Sequence, residues 1–338
     1  MKKRVLLTGG CGSIGIHVIA HFMRNTKWDV VVIDSFRHKG YRERLDEFLK
    51  SHPEDAKRIK VIQHDLVCSI SPAMKKEIGK VNYILHLAAM SDVFFSIENP
   101  VYTIQNNVNS TLMILEYAKE TPHDAFVYFS TDEVYGPVYH PGIGHPEWDT
   151  HRPSNAYSAS KAASEDICYS YWRSGDVNLI ITNTMNNFGE MQSSSKFPVM
   201  IQKALETGDT ITIHGNDKEI GSRYYIHSRN VADALLYILK KFPPKKHQIG
   251  EIDDPDRYHI VGEKCLSNLE LVISIAGLMD KEPKIKIQDF HKDNPAHDIH
   301  YGLEDNKLRS SGWKQPLTFE ESMKKTIEWQ DENKEWIG

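Results

Sequence analysis

Cysteine is scarce in this chain: Cys11, Cys68, Cys168 and Cys265 are the only four in 338 residues. None stands at the paired spacing of a disulfide framework or a zinc site, so they read as free thiols of a reducing compartment. The cytoplasm is the expected location. Long apolar runs are missing too. No stretch approaches the roughly 18 apolar residues that a bilayer-spanning helix needs. The amino terminus passes from Met-Lys-Lys-Arg straight into a short apolar strand, without the h-region and cleavage site of a secretory leader. A surplus of positive charge is absent as well: 41 Lys and Arg face 46 Asp and Glu, for a net charge of -5, and no segment interleaves basic with aromatic residues. Nucleic acid and membrane surfaces are therefore not expected partners. The 17 histidines are spread over the chain without a carboxylate-bracketed ligand cluster, so no metal is expected. A small molecule remains as the expected partner.

What is present begins with glycine. Val5-Leu6-Leu7 reads as a brief strand, Thr8-Gly9-Gly10-Cys11-Gly12-Ser13-Ile14-Gly15 as a loop, and Ile16 to Met23 as an amphipathic helix. Gly9, Gly12 and Gly15 keep the G-x-x-G-x-x-G spacing, in which absent side chains allow a tight turn, close approach to a pyrophosphate, and close packing of helix on strand. The next strand, Val30 to Ile33, ends at Asp34, 19 residues beyond Gly15. A carboxylate there accepts hydrogen bonds from the adenine-ribose hydroxyls and repels a 2′-phosphate, which makes NAD the expected cofactor. Arg37, His38 and Lys39 follow closely and could cradle a 2′-phosphate, so NADP stays open at this point. The bland reading is a glycine turn that holds nothing.

A second concentration of chemistry lies between Ser130 and Lys161, within 32 residues. Asp124 to Phe129 reads as a buried strand, so Ser130-Thr131-Asp132-Glu133 falls at its carboxyl end, where open α/β sheets bind ligands. Tyr157 and Lys161 are four apart at the start of a helical pattern (Ala162, Ala163, Ile167, Tyr171) and should share one helix face. A lysine ammonium beside a phenol is expected to lower the phenol's pKa from about 10. Singly, a Tyr-x-x-x-Lys pair is more often a solvated face and an Asp-Glu pair a polar loop; their joint position downstream of the glycine loop favours a site.

The organisation between these points is an alternation. Strands are expected at 59–62, ending near Asp65-Leu66, at Tyr83 to Leu87, ending in Ala88-Ala89, and at 177–181; helices are expected at 41–50, 100–119 and 157–172. Such alternation predicts an α/β fold with a Rossmann-like doubly wound parallel sheet. Asp65 and Leu66 would lie by the adenine ring, or Asp65 would merely cap a turn. Beyond 183 the pattern loosens, with a strand at 210–213 and helices at 231–240, 267–279 and 319–330. The expected organisation is an NAD-binding domain over 1–183 and a smaller mixed α/β substrate-binding lobe over 184–338, from which about 222–242 returns to the first domain. The 100–119 and 157–172 helices could pair across a two-fold axis, so a homodimer is expected.

These residues together resemble the extended short-chain dehydrogenases/reductases that act on nucleotide sugars, and within them the 4,6-dehydratase branch. The likeness rests on the glycine loop at 8–15, His-Leu-Ala-Ala at 86–89, Ser-Thr-Asp-Glu-Val-Tyr-Gly at 130–136, Tyr-Ser-Ala-Ser-Lys at 157–161, Asn-Asn-Phe-Gly at 186–189, and the closing Gly312-Trp313 with Thr326-Ile327-Glu328-Trp329. It implies a carbon-oxygen lyase of deoxysugar biosynthesis that turns an NDP-hexose into an NDP-4-keto-6-deoxyhexose by internal hydride transfer through NAD. Tyr157 would take the C4 hydroxyl proton, Lys161 hold the nicotinamide ribose, Thr131 bind the C4 oxygen, Glu133 take the C5 proton, and Asp132 protonate the leaving C6 hydroxyl. For Asp132 to be half protonated near neutrality its pKa must rise by ~3 units. The implied cofactor site comprises Gly9, Gly12, Ser13, Ile14, Gly15, Asp34, Asp65, Leu66, Leu87, Ala88, Ala89, Asn107, Tyr157 and Lys161. Ser91, Asn187, Lys196, Arg223 and His297 are the implied nucleotide-sugar contacts.

The chain also departs from that branch. After His-Leu-Ala-Ala the usual Glu-Ser-His-Val-Asp-Arg is Met90-Ser91-Asp92-Val93-Phe94-Phe95, the usual Asn-Tyr-Gly-Pro is Asn187-Phe188-Gly189-Glu190, and the usual Arg-Asp is Gly221-Ser222 followed by Arg223. The late Arg-Pro-Gly-His-Asp-x-Arg-Tyr is Asn294-Pro295-Ala296-His297-Asp298-Ile299-His300-Tyr301. These changes bear on the nucleotide and the sugar and leave the catalytic set alone. Two alternatives stand beside the dehydratase. One is an epimerase, a decarboxylase or a dehydratase of other regiochemistry on the same scaffold; the other is a non-catalytic NAD-binding module. A 4-epimerase has no use for paired acids, a decarboxylase needs a free cation for the sugar carboxylate, and a sensor needs only the glycine loop.

Overall fold

Short runs of β-branched and aliphatic residues, each followed by an amphipathic helix, dictate the architecture. A computed structural model describes residues 2–216, 218–248, 251–289 and 298–336. Its strands are β1 (Arg4–Thr8), β2 (Asp29–Asp34), β3 (Ile59–Gln63), β4 (Tyr83–His86), β5 (Ala125–Thr131), β6 (Leu179–Thr184), β7 (Asn186–Phe188), β8 (Thr210–His214), β9 (Ser222–His227), β10 (Asp256–Ile260), β11 (Cys265–Ser267) and β12 (Lys284–Gln288). The helices are α1 (Ser13–Asn25), α2 (Tyr41–Ser51), α3 (Pro72–Ile78), α4 (Val93–Glu98), α5 (Pro100–Glu120), α6 (Ala156–Arg173), α7 (Phe197–Thr207), α8 (Ser228–Lys241), α9 (Asn268–Leu278), α10 (Asn306–Ser310) and α11 (Phe319–Glu332).

Seven strands form one sheet in the order β10-β6-β5-β4-β1-β2-β3, and every pairing in it is parallel. This is the doubly wound α/β class, with the order reversing between β1 and β4. Side chains alternate between the two faces of a strand, so neighbouring residues enter different cores. Val5, Leu7, Val30 and Val32 pack with Ile16, Ile19 and Phe22 of α1 and Val231 and Leu235 of α8. Leu6, Val31, Ile33 and Ile84 pack on the other face with Ile114 and Leu115 of α5 and Cys168 and Trp172 of α6. Each of these aliphatic side chains contributes roughly 1.5–3 kcal/mol by leaving water, so a one-residue slip of a central strand is strongly excluded. A third core joins Phe188, Ile201, Ile213, Leu271, Ile275, Phe319 and Met323 beneath the two smaller sheets, β11-β9-β7 and β12-β8.

Two features differ from the sequence expectation. β6 runs to Thr184 rather than 181, because the buried Asn183 amide donates to Glu165 Oε1 (2.8 Å) and to the Thr131 carbonyl (3.0 Å), which lets polar residues continue a central strand. The sheet also gains its edge strand β10 from the segment expected in the smaller lobe. Arg257 and His259 interrupt the apolar pattern there and hide the strand; both are buried and hydrogen-bonded. Of 222–242, the helical half joins α1 in the first core, while the strand half belongs to the three-stranded sheet.

Candidate active site

A groove opens along the carboxyl ends of the parallel strands, at the reversal of strand order, and runs from the glycine loop to the Thr131–Glu133 turn. Gly9 has φ +68°, and a Cβ on it would stand 2.8 Å from the Ala88 Cα; a Cβ on Gly15 would stand 2.3 Å from the Gly9 carbonyl oxygen. Neither position tolerates a side chain, and the loop therefore lies flat against Ala88. No side chain caps the start of α1, which leaves its first N–H groups to an anion in the groove. Asp34, 5% exposed, accepts from the Cys11 N–H and the Phe36 N–H, both at 3.0 Å. Burial raises its pKa against those two hydrogen bonds.

Arg37 turns away from Asp34 and across the groove, 3.2 Å from Asp65 Oδ2, donating to Tyr102 Oη (2.9 Å) and Asn106 Oδ1 (2.5 Å) of α5. His38 Nε2 lies 3.1 Å from Met90 Sδ, and Lys39 is exposed. Arg37 is thus committed to other partners.

Of the sequence-expected cofactor residues, Gly9, Gly12, Ser13, Ile14, Gly15, Asp34, Asp65, Leu66, Leu87, Ala88, Ala89, Tyr157 and Lys161 line the groove. Asn107 is a correction. Its neighbour Asn106 lines the groove, while Asn107 is turned about 100° round the helix and buried behind it. There it pairs with both the N–H (2.7 Å) and the C=O (3.0 Å) of Met90 and with Ser160 Oγ (2.8 Å). It fixes the Met90 backbone rather than facing a ligand.

At the far end, β5 delivers Thr131 into a one-turn 3-10 helix, Asp132–Tyr135. Thr131 Oγ1 donates to Asp132 Oδ1 at 2.9 Å, and Asp132 Oδ2 is buried without a hydrogen-bond partner among the described residues. Burial, with the Glu133 carboxylate second, pushes Asp132 up to about 7. This matches the rise of ~3 units that general-acid chemistry at neutrality requires. Burial likewise raises Glu133, opposed by the Asn155 amide and by the charge of Arg223. Tyr157 comes from the first turn of α6, whose start is fixed by a capping box between Asn155 and Ser158.

Lys161 Nζ donates to the Phe129 carbonyl at 2.7 Å and sits 4.2 Å from the Tyr128 ring centroid. Burial lowers it to about 8, with Glu165 pulling the other way. The expected depression of the phenol is overturned. Burial, then Glu133, push Tyr157 well above its usual value, because the lysine ammonium turns to the sheet while the carboxylates face the phenol.

Among the expected substrate contacts, Ser91, Asn187 and Lys196 line the groove. Arg223 does not. It is 6% exposed, donates to the carbonyls of Ser222 (2.7 Å) and Asp298 (2.6 Å) and to that of Ile299, and stacks 4.5 Å from the Tyr301 ring. Its charge still lowers both acids. His297 lies outside the described residues.

A glycine loop at a strand-order reversal, a buried acid after β2 and a Thr/Tyr/Lys set on β5 and α6 agree with what comparison shows: residues 5–250 match the NAD dependent epimerase/dehydratase family. The chain belongs to that family. Dehydratases of the family include a curated relative from Escherichia coli K12, dTDP-glucose 4,6-dehydratase 1, which is 32% identical over 99% of this chain and 94% of its own length. The solved dTDP-glucose 4,6-dehydratase DesIV of Streptomyces venezuelae, with NAD and TYD bound, superposes with a TM-score of 0.84 at 26% identity, covering 98% of each chain. A UDP-glucose 4-epimerase of Thermus thermophilus reaches 0.81 at 23% identity over 96% of this chain and 98% of that one. The family fold alone therefore does not separate dehydratase from epimerase; the side chains must.

Two groups escaped the family pattern as read from sequence. Asn155 Nδ2 donates to Glu133 Oε2 at 3.1 Å; its signal was a helix-start Asn-x-x-Ser. Glu165 pairs with Arg257 at 2.6 Å and with His151 at 3.2 Å, and Arg257 donates to Tyr135 Oη at 2.7 Å. This buried network braces β5, β6 and β10 behind Thr131. No sequence signal joined residues 92 positions apart.

Proposed function

We propose that the protein is a nucleotide-sugar 4,6-dehydratase, a carbon-oxygen lyase converting an NDP-hexose to an NDP-4-keto-6-deoxyhexose with NAD held in the groove. The observation that carries this reading is the pair of raised carboxylates at Asp132 and Glu133, facing the same space as Tyr157. A carboxyl pushed up to about 7 at Asp132, beside a second one that burial raises at Glu133, suits elimination of water, which needs an acid and a base at adjacent carbons. Tyr157 takes the proton of the sugar C4 hydroxyl, with Thr131 turning its single hydroxyl proton from Asp132 Oδ1 to that oxygen. Glu133 removes the C5 proton, made acidic by the 4-keto group, and Asp132 protonates the C6 hydroxyl as it leaves as water. NAD, when bound, supplies the reversible hydride acceptor and a positive charge that lowers the phenol's pKa. Gly9, Gly12, Ser13, Ile14 and Gly15 hold its pyrophosphate, Asp34 its adenine ribose, Asp65 and Leu66 its adenine, and Leu87, Ala88, Ala89 and Lys161 its nicotinamide half.

Residues 1–183 form the NAD-binding part and 184–338 mainly the nucleotide-sugar part, with α8 and β10 returning to the first. Ser91, Asn187 and Lys196 contact the nucleotide sugar. Arg223 is bonded to three backbone carbonyls, so it is not the free cation that a decarboxylase would turn to the sugar carboxylate. The protein acts in the cytoplasm, in keeping with its four free cysteines. It works as a homodimer in which α5 and α6 pair across a two-fold axis, and the first turns of α5 expose Val101 (66%), Tyr102 (45%) and Ile104 (41%).

The test is product analysis in deuterated water with dTDP-glucose, UDP-glucose and their sugar variants. Dehydration removes the mass of water and leaves deuterium at C5; decarboxylation removes carbon dioxide; epimerisation changes no mass. A product of unchanged mass would overturn the reading.

A further inference from the structure

β7 and the segment that follows it bring Asn187, Gln192 and Lys196 to the groove, whereas Glu190 and Met191 between them do not line it. Glu190, which stands where the branch usually has proline, buries its carboxylate under the groove wall. Its Oε1 lies 2.7 Å from Arg229 Nη2 on α8, and its Oε2 lies 2.9 Å from His227 Nε2 and 3.6 Å from His17 Nε2. The Arg229 N–H donates to His227 Nδ1 at 2.9 Å, so that ring carries its proton on Nε2, the atom facing Glu190. His17 also lies 3.3 Å from the Glu190 carbonyl oxygen. It sits on α1 two residues beyond Gly15, within the first turns after the glycine loop.

The next residue is held independently. Arg44 of α2 donates from Nε to the Met191 carbonyl at 2.7 Å, and its Nη1 stands 3.5 Å from the carbonyl of Cys11, inside the glycine loop. Met191 has φ +60°, a conformation that costs a non-glycine residue energy and persists only where surroundings impose it. Gln192 then donates back to the Asn187 carbonyl at 2.7 Å, closing the loop on itself. Two consecutive residues of the substrate-side loop are therefore fastened to two cofactor-side elements, and the fastened stretch is a small closed ring rather than a free strand.

We propose that Glu190 and Arg44 are positioning residues that clip the 187–196 loop to the glycine loop, so that NAD and nucleotide sugar each strengthen the other's binding. The inference rests on the groove holding NAD and a nucleotide sugar as proposed above. Whatever orders Asn187 and Lys196 also orders residues 190–191, and through them α1 and the Cys11 backbone; by linkage the effect is reciprocal. Dehydration of the sugar requires both ligands to stay until the cycle closes, and this coupling serves that need.

The experiment measures NAD dissociation from the holoprotein by stopped-flow fluorescence, with and without saturating dTDP or UDP, in the wild type, Glu190→Gln and Arg44→Met. Glutamine keeps the size of the side chain and removes its charge, which guards against misfolding. The wild type should release NAD at least ~10-fold more slowly with nucleotide bound, within the range common for coupled sites, and each variant should bring that ratio to within about twofold of one. A purely structural role would lower the melting temperature and leave the ratio as it was. A wild-type ratio of one, or an unchanged ratio in both variants, overturns the proposal. Failure of the dehydratase reading shows separately, as absence of dehydrated product.

Discussion

Asn155 holds Glu133 and begins α6 with one side chain: its Nδ2 donates to Glu133 Oε2 at 3.1 Å while its Oδ1 accepts the Ser158 N–H at 2.9 Å. The helix that presents Tyr157 and the turn that presents the acids are thereby registered by a single amide. A backbone shift at either end would move both sides of the candidate site together.

The two tasks of Asn155 can be separated by substitution. Serine also caps helices well, but its shorter side chain lacks the reach of the Nδ2 that donates to Glu133, so Asn155→Ser should keep the melting temperature within about 2 °C while slowing elimination at least ~10-fold. Asn155→Ala loses the cap too and should cost about 1 kcal/mol more in a denaturant titration. Equal activity of Asn155→Ser and wild type would mean that Glu133 is oriented by other groups.

The sheet was legible because its strands are short, apolar and regularly interrupted, and the glycine loop because a Cβ at Gly9 or Gly15 has no room. Part of the groove set was legible for a related reason: its glycines and Thr131, Asp132, Glu133, Tyr157 and Lys161 cluster in two short segments, 8–15 and 130–161. What sequence left hidden depends on pairing across distance. Arg257 looks like a surface residue until Glu165 is placed 2.6 Å away, and Asn183 looks like a strand breaker until its amide finds Glu165 and Thr131. Asn107 was misplaced because helical neighbours differ by about 100° in direction, and only packing decides whether residue 106 or 107 faces the groove. The charge on the phenol was misjudged because Lys161 shares a helix face with Tyr157 but spends its ammonium on the Phe129 carbonyl.

Asp132 should make stability pH-dependent. Its folded pKa, raised from 3.8 to about 7, means that the folded state holds the proton more tightly than the unfolded chain does. The contribution is therefore favourable below about pH 4 and is lost progressively as pH rises towards 7. Asp132→Asn, which cannot ionise, should melt several degrees higher than wild type at pH 8, with the gap shrinking towards pH 4. The same variant should slow dehydration, less completely where a water molecule can protonate the leaving hydroxyl. Parallel melting curves at all pH values would show that the carboxyl is not held protonated.

Asp34 should make the protein prefer NAD to NADP by at least ~10-fold in calorimetry, since a buried carboxylate repels a 2′-phosphate and Arg37 is engaged by Asp65 at 3.2 Å. Asp34→Ala removes the acceptor of the Cys11 N–H as well as the proposed ribose contact. It should weaken NAD without creating tight NADP binding. A variant that binds NADP as the wild type binds NAD would show that Arg37 leaves Asp65 to read the phosphate.

The sharpest division of labour lies between Tyr157 and Glu133, and two variants separate it. Tyr157→Phe removes the base for the first proton, so the absorbance of reduced nicotinamide should not appear when substrate is added. Glu133→Gln keeps the shape of the turn but cannot take the C5 proton. Oxidation at C4 should then proceed, reduced nicotinamide should accumulate, and dehydrated product should fall by ~10²–10⁴-fold. Glutamine also lacks the charge that helps hold Tyr157 high, so the first oxidation should run at least as fast as in the wild type at neutral pH. Residual product made in deuterated water should carry deuterium at C5, because the base exchanges its proton with solvent. If Glu133→Gln forms product at the wild-type rate, or forms no reduced nicotinamide, the carboxylate is not the C5 base, and the paired acids have another task.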